Sequence, residues 1–286
     1  MGENEKNKVE ASTLYLVGTP IGNLADMTER AKKILAEVDF VAAEDTRNSM
    51  KLLSCFGIHA ELVSYYEHNK RESGEKIVAR LLSGESCALI TDAGMPAISD
   101  PGEDLVRLCA ESGVTVRIVP GPSACVSALA LSGLSTVRFA FEGFLPAQKG
   151  DRRKRLEAVA NDDRTMIFYE APHKLRATLE DMAEIFGGER KITLCRELTK
   201  LNEEAERTTL EGAVATYKSK EPRGEYVLII EGGSGKQKEE NPLLSLLPEE
   251  HVAHYESQGM KRMDAVKAAA KDRGMSKSEL YKILVE

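Results

Sequence analysis

Short apolar runs alternate along this chain with longer stretches whose apolar residues recur at helical spacing. Thr13-Leu14-Tyr15-Leu16-Val17 is continuous, β-branched and aromatic, the pattern of a central strand. A loop from Gly18 to Leu24 follows, then a helix is predicted from about Thr28 to Val38. Further strands are predicted at Phe40–Ala43, Glu61–Tyr66, Cys87–Ile90 and Val114–Val119, with helices between them over 47–55, 70–82 and 103–112. A small-residue helix begins at Ser123 and runs through Leu131. A second series holds strands at Arg138–Glu142, Thr165–Tyr169, Lys191–Cys195, Arg207–Leu210 and Glu225–Ile230, and a helix over Pro172–Phe186 that starts on a proline. Alternation of this kind predicts an α/β fold, with a mostly parallel sheet and right-handed crossovers in the first half.

The pattern divides the chain into an N-terminal α/β domain (12–131), a second α/β domain (132–231), a Gly- and Lys-rich linker (232–246) and a small helical module (247–286). In the module, a helix is predicted from Met260 to Lys271 with Gly274 as its stop, and Ser276-Lys277-Ser278-Glu279 is a capping box opening a last helix. His251 and His254 share a helix face there without a third metal ligand, which suits a structural or solvated role.

Composition then narrows the class. A formal charge of −7 excludes general attraction to nucleic acid, so any such contact comes from a local patch. From Met260 onward seven Lys or Arg stand against four Asp or Glu. The densest basic run is Lys149, Arg152, Arg153, Lys154 and Arg155. Five cysteines lie scattered with no Cys-x-x-Cys pair, which argues against zinc and a disulfide framework; no metal is expected. The start is polar and no apolar run nears the ~18 residues that span a bilayer, so a cytoplasmic protein without membrane contact is expected.

The candidate chemistry sits in three loops at strand carboxyl ends, beginning at Gly18, Thr91 and Pro120. Thr91-Asp92-Ala93-Gly94-Met95-Pro96-Ala97-Ile98-Ser99-Asp100-Pro101-Gly102 holds two prolines and two loop glycines with acids and a serine, which suits a small polar ligand. A dinucleotide fingerprint would need glycine two residues after Gly18; Pro20 stands there and cannot donate an N–H, which disfavours a dinucleotide-dependent oxidoreductase.

Eight blocks in order carry a resemblance. They are the stretch from Leu14 to Leu24, Ala43-Glu44-Asp45-Thr46-Arg47, the loop from Thr91, Pro120-Gly121-Pro122-Ser123-Ala124, Gly143-Phe144-Leu145-Pro146, Tyr169-Glu170-Ala171-Pro172-His173, Arg196-Glu197-Leu198-Thr199-Lys200 and Arg223-Gly224-Glu225. Together they resemble the ribosomal RNA small-subunit methyltransferase I family, of the tetrapyrrole-methylase fold class. The resemblance implies two α/β domains with the ligand in the cleft between them, and usually a homodimer. It implies 2′-O-methylation of a cytidine ribose in the decoding region of 16S rRNA, with S-adenosylmethionine as methyl donor. By position, the donor is expected at Pro20 and Ile21, at Asp92, Ala93, Gly94, Met95, Ile98 and Ser99, at Ser123 and Ala124, at Phe168 and Tyr169, and near Leu198 and Gly224. Two positions depart from the family's commonest residues: Met95, usually Thr, and Ala97, usually Gly.

Methyl transfer to a ribose hydroxyl asks for alignment to within about 3–3.5 Å and for a proton acceptor. Asp45, Asp100, Glu170 and Glu197 are the candidate acceptors; Arg47, Arg196 and Lys200 are the candidate cations for the developing charge or a flanking phosphate. Asp100 and Arg47 lead. The run Lys149, Arg152, Arg153, Lys154 and Arg155, with Lys261 and Arg262, is the expected RNA-binding surface. The alternatives are a tetrapyrrole methylase of the same fold and a non-catalytic nucleic-acid-binding protein.

Overall fold

The computed structural model describes residues 8–233 and 242–284. Its first sheet is wholly parallel. In chain order the elements are β1 (Thr13–Val17), α1 (Glu29–Glu37), β2 (Phe40–Ala43), α2 (Thr46–Cys55), β3 (Glu61–Ser64), α3 (Lys70–Leu82), β4 (Cys87–Ile90), α4 (Glu103–Glu111), β5 (Thr115–Val119) and α5 (Ala124–Ser132). The strand order is β3-β2-β4-β1-β5. Helices cover both faces, which explains the continuous apolar strands. Tyr15, Val17, Val41 and Ile90 pack with Ile34, Leu35 and Leu53 on one side. Leu14, Phe40, Ala42 and Leu89 pack with Ile77, Leu81 and Leu105 on the other.

Local chemistry sets the helix starts. Thr28 Oγ1 accepts the Ala31 N–H at 3.0 Å to begin α1, and Asp45 Oδ1 accepts the Arg47 N–H at 2.8 Å to begin α2. Gly133, at φ +77°, ends α5 in the left-handed conformation.

The second sheet is mixed. It holds β6 (Phe139–Phe144), β7 (Thr165–Glu170), β8 (Lys191–Arg196), β9 (Glu204–Thr209) and β10 (Tyr226–Ile230) in the order β6-β7-β10-β8-β9, and only β6 and β7 run parallel. Helices α6 (Lys149–Val159), α7 (Pro172–Phe186) and α8 (Leu210–Tyr217) cover one face. The other face packs on α5 of the first series, through Cys125, Ala128 and Leu129 against Ile167, Val227 and Ile229. This contact ties the two sheets together and accounts for the apolar character of α5 around much of its circumference.

Strand β9 departs furthest from expectation. Arg207–Leu210 was predicted, whereas β9 spans Glu204–Thr209 and Leu210 opens α8. The early polar residues are held in the strand by ion pairs: Glu204 with Arg196 and Lys220, Glu206 with Lys220. Thr209 Oγ1 then accepts the Gly212 N–H and starts the helix.

Gly233–Glu286 forms a separate compact unit. Its helices α9 (Pro248–Ser257), α10 (Arg262–Asp272) and α11 (Lys277–Ile283) bury Val252, Ala265, Val266, Ala269, Ala270 and Leu280. The predicted capping box is present, with Ser276 N donating to Glu279 Oε2 at 2.7 Å and Glu279 N to Ser276 Oγ at 3.3 Å. His251 is fully buried; its Nδ1 accepts from Arg273 Nε at 3.1 Å and its Nε2 faces Asp272 Oδ2 at 3.3 Å, a structural role. Residues 234–241 of the expected linker lie outside the described residues.

Candidate functional site

Strand order brings the three loops together. β4, β1 and β5 are neighbours in the first sheet, so the loops beginning at Thr91, Gly18 and Pro120 leave adjacent carboxyl ends. Thr19 and Gly94 pair as a two-residue antiparallel bridge, N–H to O at 2.9 and 3.1 Å, and Thr19 Oγ1 donates to the Thr91 carbonyl at 3.1 Å. Gly18 lies so close to Gly121 that a Cβ on Gly18 would sit 2.7 Å from the Gly121 Cα. Met95 closes the third side, where its Sδ accepts the Gly121 N–H at 3.3 Å. The thioether at this departure from the family pattern therefore bonds a backbone group directly.

Backbone strain concentrates here. Among the described residues five non-glycine residues have φ above zero, and four of them, Ala97, Ser99, Glu197 and Thr199, lie in the loops of this site. Ala97, at φ +68°, occupies the conformation that favours glycine, the residue the resemblance expects there. Ala97→Gly is expected to raise stability by about 0.5–1 kcal/mol, read as a small increase in melting temperature. A fall in melting temperature would remove strain as the explanation.

These loops form one wall of a cleft of about 530 Å3, and the second sheet supplies the other. Of the expected donor residues, Ile21, Asp92, Ala93, Gly94, Met95, Ile98, Ser99, Ser123, Ala124, Tyr169, Leu198 and Gly224 line it, as do Asp100, Arg196, Glu197 and Lys200. Five expected site residues lie off its wall. Pro20 is buried. Phe168 is fully buried in the core under α6–α8, because neighbours on a strand point to opposite faces and Tyr169 takes the cleft side. Glu170 shares the buried side, 1% exposed, accepting from the Ala171 N–H at 2.9 Å and Thr178 Oγ1 at 2.6 Å. Asp45 caps α2 and pairs with Arg47 at 2.7 Å, while the Arg47 side chain is largely in solvent.

Glu44, Phe144 and Glu225 also line the cleft, and the residue reading did not select them. Glu44 directly follows the carboxyl end of β2, which is a legible signal. Phe144 is carried there by a β-bulge that the sequence pattern does not show.

The cleft is acidic. Burial, with the nearby Glu44, Asp92 and Glu225 carboxylates, pushes Asp100 up to about 6. Burial and the charge of Asp92 raise Glu44 as well. Asn48 Nδ2 donates to Asp92 Oδ2 at 2.8 Å and orients it. The lining cations are engaged with carboxylates, Arg196 with Glu204 and Lys200 with Glu197 at 3.0 Å. Such a site favours a cationic ligand. It also offers one carboxylate suited to taking a proton near neutral pH.

The basic run on α6 is less available than its sequence suggests. Arg152 is 5% exposed and its Nε donates to Asp181 Oδ2 at 2.8 Å. That corrects the expectation of phosphate contact at Arg152, whose charge is spent inside the protein. Arg153 is tied to Asp181 and Glu184, and Arg155 to Glu142. Lys149 and Lys154 are exposed, as are Lys261 and Arg262 in the second unit.

Comparison with known proteins agrees with this architecture. Residues 13–214 match the family of Tetrapyrrole (Corrin/Porphyrin) Methylases. The chain is 48% identical to "Ribosomal RNA small subunit methyltransferase I" of Halalkalibacterium halodurans over 98% of its own length and 97% of that protein's. It is 46% identical to the protein of the same name from Bacillus subtilis, over 96% and 94%. Among solved structures it shares the fold of a cobalt precorrin-4 methyltransferase (TM-score 0.57, 17% identity, 77% of this chain and 95% of that one). Diphthine synthase is similar to the same degree (TM-score 0.59, 16% identity, 77% and 90%). With 48% and 46% identity over nearly the full length of both chains and the family match over residues 13–214, the chain belongs to the ribosomal RNA small subunit methyltransferase I family of the tetrapyrrole methylases.

Proposed function

We propose that the protein transfers a methyl group from S-adenosylmethionine to the ribose 2′-hydroxyl of a cytidine in the decoding region of 16S rRNA. The observation that carries the reading is the acidic cleft around Asp100, supported by the name shared by the near full-length relatives. The donor supplies an activated methyl on a sulfonium, and its sulfonium and ammonium outweigh its single carboxylate, so it is cationic overall. Glu44, Asp92 and Asp100 fit that charge. Gly94 and the other small residues of the loops allow close backbone approach.

Asp100 accepts the proton of the ribose hydroxyl as the ribose oxygen bonds the methyl carbon and the carbon–sulfur bond breaks, its electron pair staying on sulfur as a neutral thioether. At pH 7–8 a carboxyl near 6 is mostly ionised, and it is a stronger base than an ordinary aspartate. Lys200, on the same wall, holds positive charge near the developing alkoxide, and Arg47 at the start of α2 meets a flanking phosphate. Lys149, Lys154, Lys261 and Arg262 are the proposed phosphate contacts, Lys154 and Arg262 sharing their charge loosely with Asp151 and Glu256 and Arg153 and Arg155 more closely with their own partners. The working form is a homodimer in the cytoplasm.

Calorimetric titration with S-adenosylmethionine, in buffers of different ionisation heat, tests the donor site. A bound cation favours ionised Asp100 and Glu44, so binding near pH 6 is expected to release protons. It should release almost none at pH 8, and affinity should fall as pH drops below about 6. Mapping labelled methyl groups on unmodified 16S rRNA and on small ribosomal subunits tests the acceptor. Label on a base, or on an added porphyrinoid and not on RNA, overturns the ribose reading.

A further inference from the structure

The proposed chemistry leaves the bulge in β6 without a role. A regular strand sends residues an even number apart to one face, so Phe141 and Phe144, three apart, would point opposite ways. The register shift between Phe141 and Gly143, with Gly143 at φ +65°, changes this. Both rings reach Tyr169 edge-on, Phe141 at 5.0 Å and Phe144 at 5.4 Å between centroids. The glycine also lets the bulge approach the donor-side loop, its Cβ position lying 3.6 Å from Ser99 Oγ.

The result is unusual for an aromatic ring. Phe144 lines the cleft yet remains 51% exposed, held at one edge by Tyr169. Stability does not account for a bulge that leaves half a phenyl ring in solvent, since burying it would be favourable. An exposed, fixed aromatic surface in a polar cleft is what a nucleobase stacks on. A structured acceptor gives such a surface a use. Enzymes that do chemistry on a base take the nucleotide out of its stack, and a nucleotide extruded to bring its ribose into a closed cleft needs a surface that replaces its base's neighbours. The same segment continues through Leu145 and Pro146 into α6, whose first residue, Lys149, is exposed. A cation for the flanking phosphate thus stands on the same piece of chain.

We propose that Phe144, aimed into the cleft by the β6 bulge, is the platform on which the base of the target nucleotide rests after it leaves its stack. The proposal rests on the RNA reading of the preceding subsection. Stacking tolerates any base, so Phe144 supplies affinity and orientation and leaves base identity to other groups.

The chain contains no tryptophan, so Phe144→Trp places a single indole reporter at the site. Unmodified 16S rRNA is expected to quench its fluorescence, and S-adenosylmethionine alone to leave it nearly unchanged. In steady-state methylation, Phe144→Leu should raise KM for the rRNA about ten- to hundredfold. Its donor Kd should stay within about twofold of wild type, and Phe144→Trp should restore the RNA KM. Three results overturn the proposal: an unchanged RNA KM in Phe144→Leu, a donor Kd weakened in parallel, or an indole quenched by donor and not by RNA. The second and third would assign the ring to the donor. Wild-type protein that methylates no rRNA would remove the functional reading itself. Methylation by wild type with an unaltered Phe144→Leu variant would remove only the platform.

Discussion

Asp100→Asn is expected to lower the rate of methyl transfer at saturating donor by about 10²–10⁴-fold, the contribution of a positioned proton acceptor. Asparagine keeps the size and much of the hydrogen bonding of the side chain and removes only its basicity. The wild-type kcat/KM for the donor should rise with pH through about 6, where Asp100 of the free protein ionises. The variant should lose that limb. A stability measurement gives an independent check of the same shift. The folded protein holds the Asp100 proton more tightly than the unfolded chain does, because the folded pKa is raised from 3.8 to about 6. The stability this contributes is present below about pH 4 and is lost as pH rises through 6. Asp100→Asn should therefore melt several degrees above wild type at pH 8 and lose that advantage near pH 4. An unchanged rate would place the base elsewhere among the cleft carboxylates, Glu44, Asp92, Glu197 and Glu225. A faster-melting variant at pH 8 would contradict the shift itself.

Gly18→Ala should disable donor binding without touching a charged group. A Cβ at this position meets the Gly121 Cα and the Met95 Sδ at 2.7 Å and the Gly121 N at 2.8 Å. Two of those three atoms are backbone, so the loops after β1 and β5 must part. The Met95–Gly121 hydrogen bond and the Thr19–Gly94 bridge then lose their geometry. Overpacking of this kind costs about 1–3 kcal/mol. Donor affinity should fall at least about tenfold, as measured by calorimetry. Gly150→Ala is the control: it lies in α6 with nothing within 4 Å of the added carbon. Helix propensity predicts that it leaves donor binding intact and stabilises by up to about 1 kcal/mol. Equal donor affinity in Gly18→Ala and wild type would mean that close contact of these loops is not what builds the site.

The family pattern and the physical contacts meet at the two departures. At Met95 the missing hydroxyl suggested a lost hydrogen bond, and the structure shows a sulfur acceptor on Gly121. At Ala97 the side chain is tolerated in a left-handed conformation, at the cost of strain. Both residues sit in the loop from Thr91 to Gly102, whose unusual density of proline, glycine and acid marked it from the sequence.

Features that depend on near neighbours in the chain were legible from the residues alone. The apolar runs placed β1, β2 and β4, the Asp45 and Ser276 caps and the Gly274 stop bounded their helices, and the prolines and glycines located the three loops. These are short-range effects of side-chain period, capping and backbone freedom. Tertiary structure decided what depends on distant partners. Strand order made β4, β1 and β5 adjacent and so joined the loops. Packing under α6–α8 withdrew Phe168 and Glu170, and Asp181, 29 residues away in sequence, took the charge of Arg152. Burial beside Glu44, Asp92 and Glu225 gave Asp100 its basicity, and one bulge turned Phe144 to the cleft. The physical reason is common to all of them: burial, electrostatic coupling and facing direction belong to groups that only the folded chain brings together.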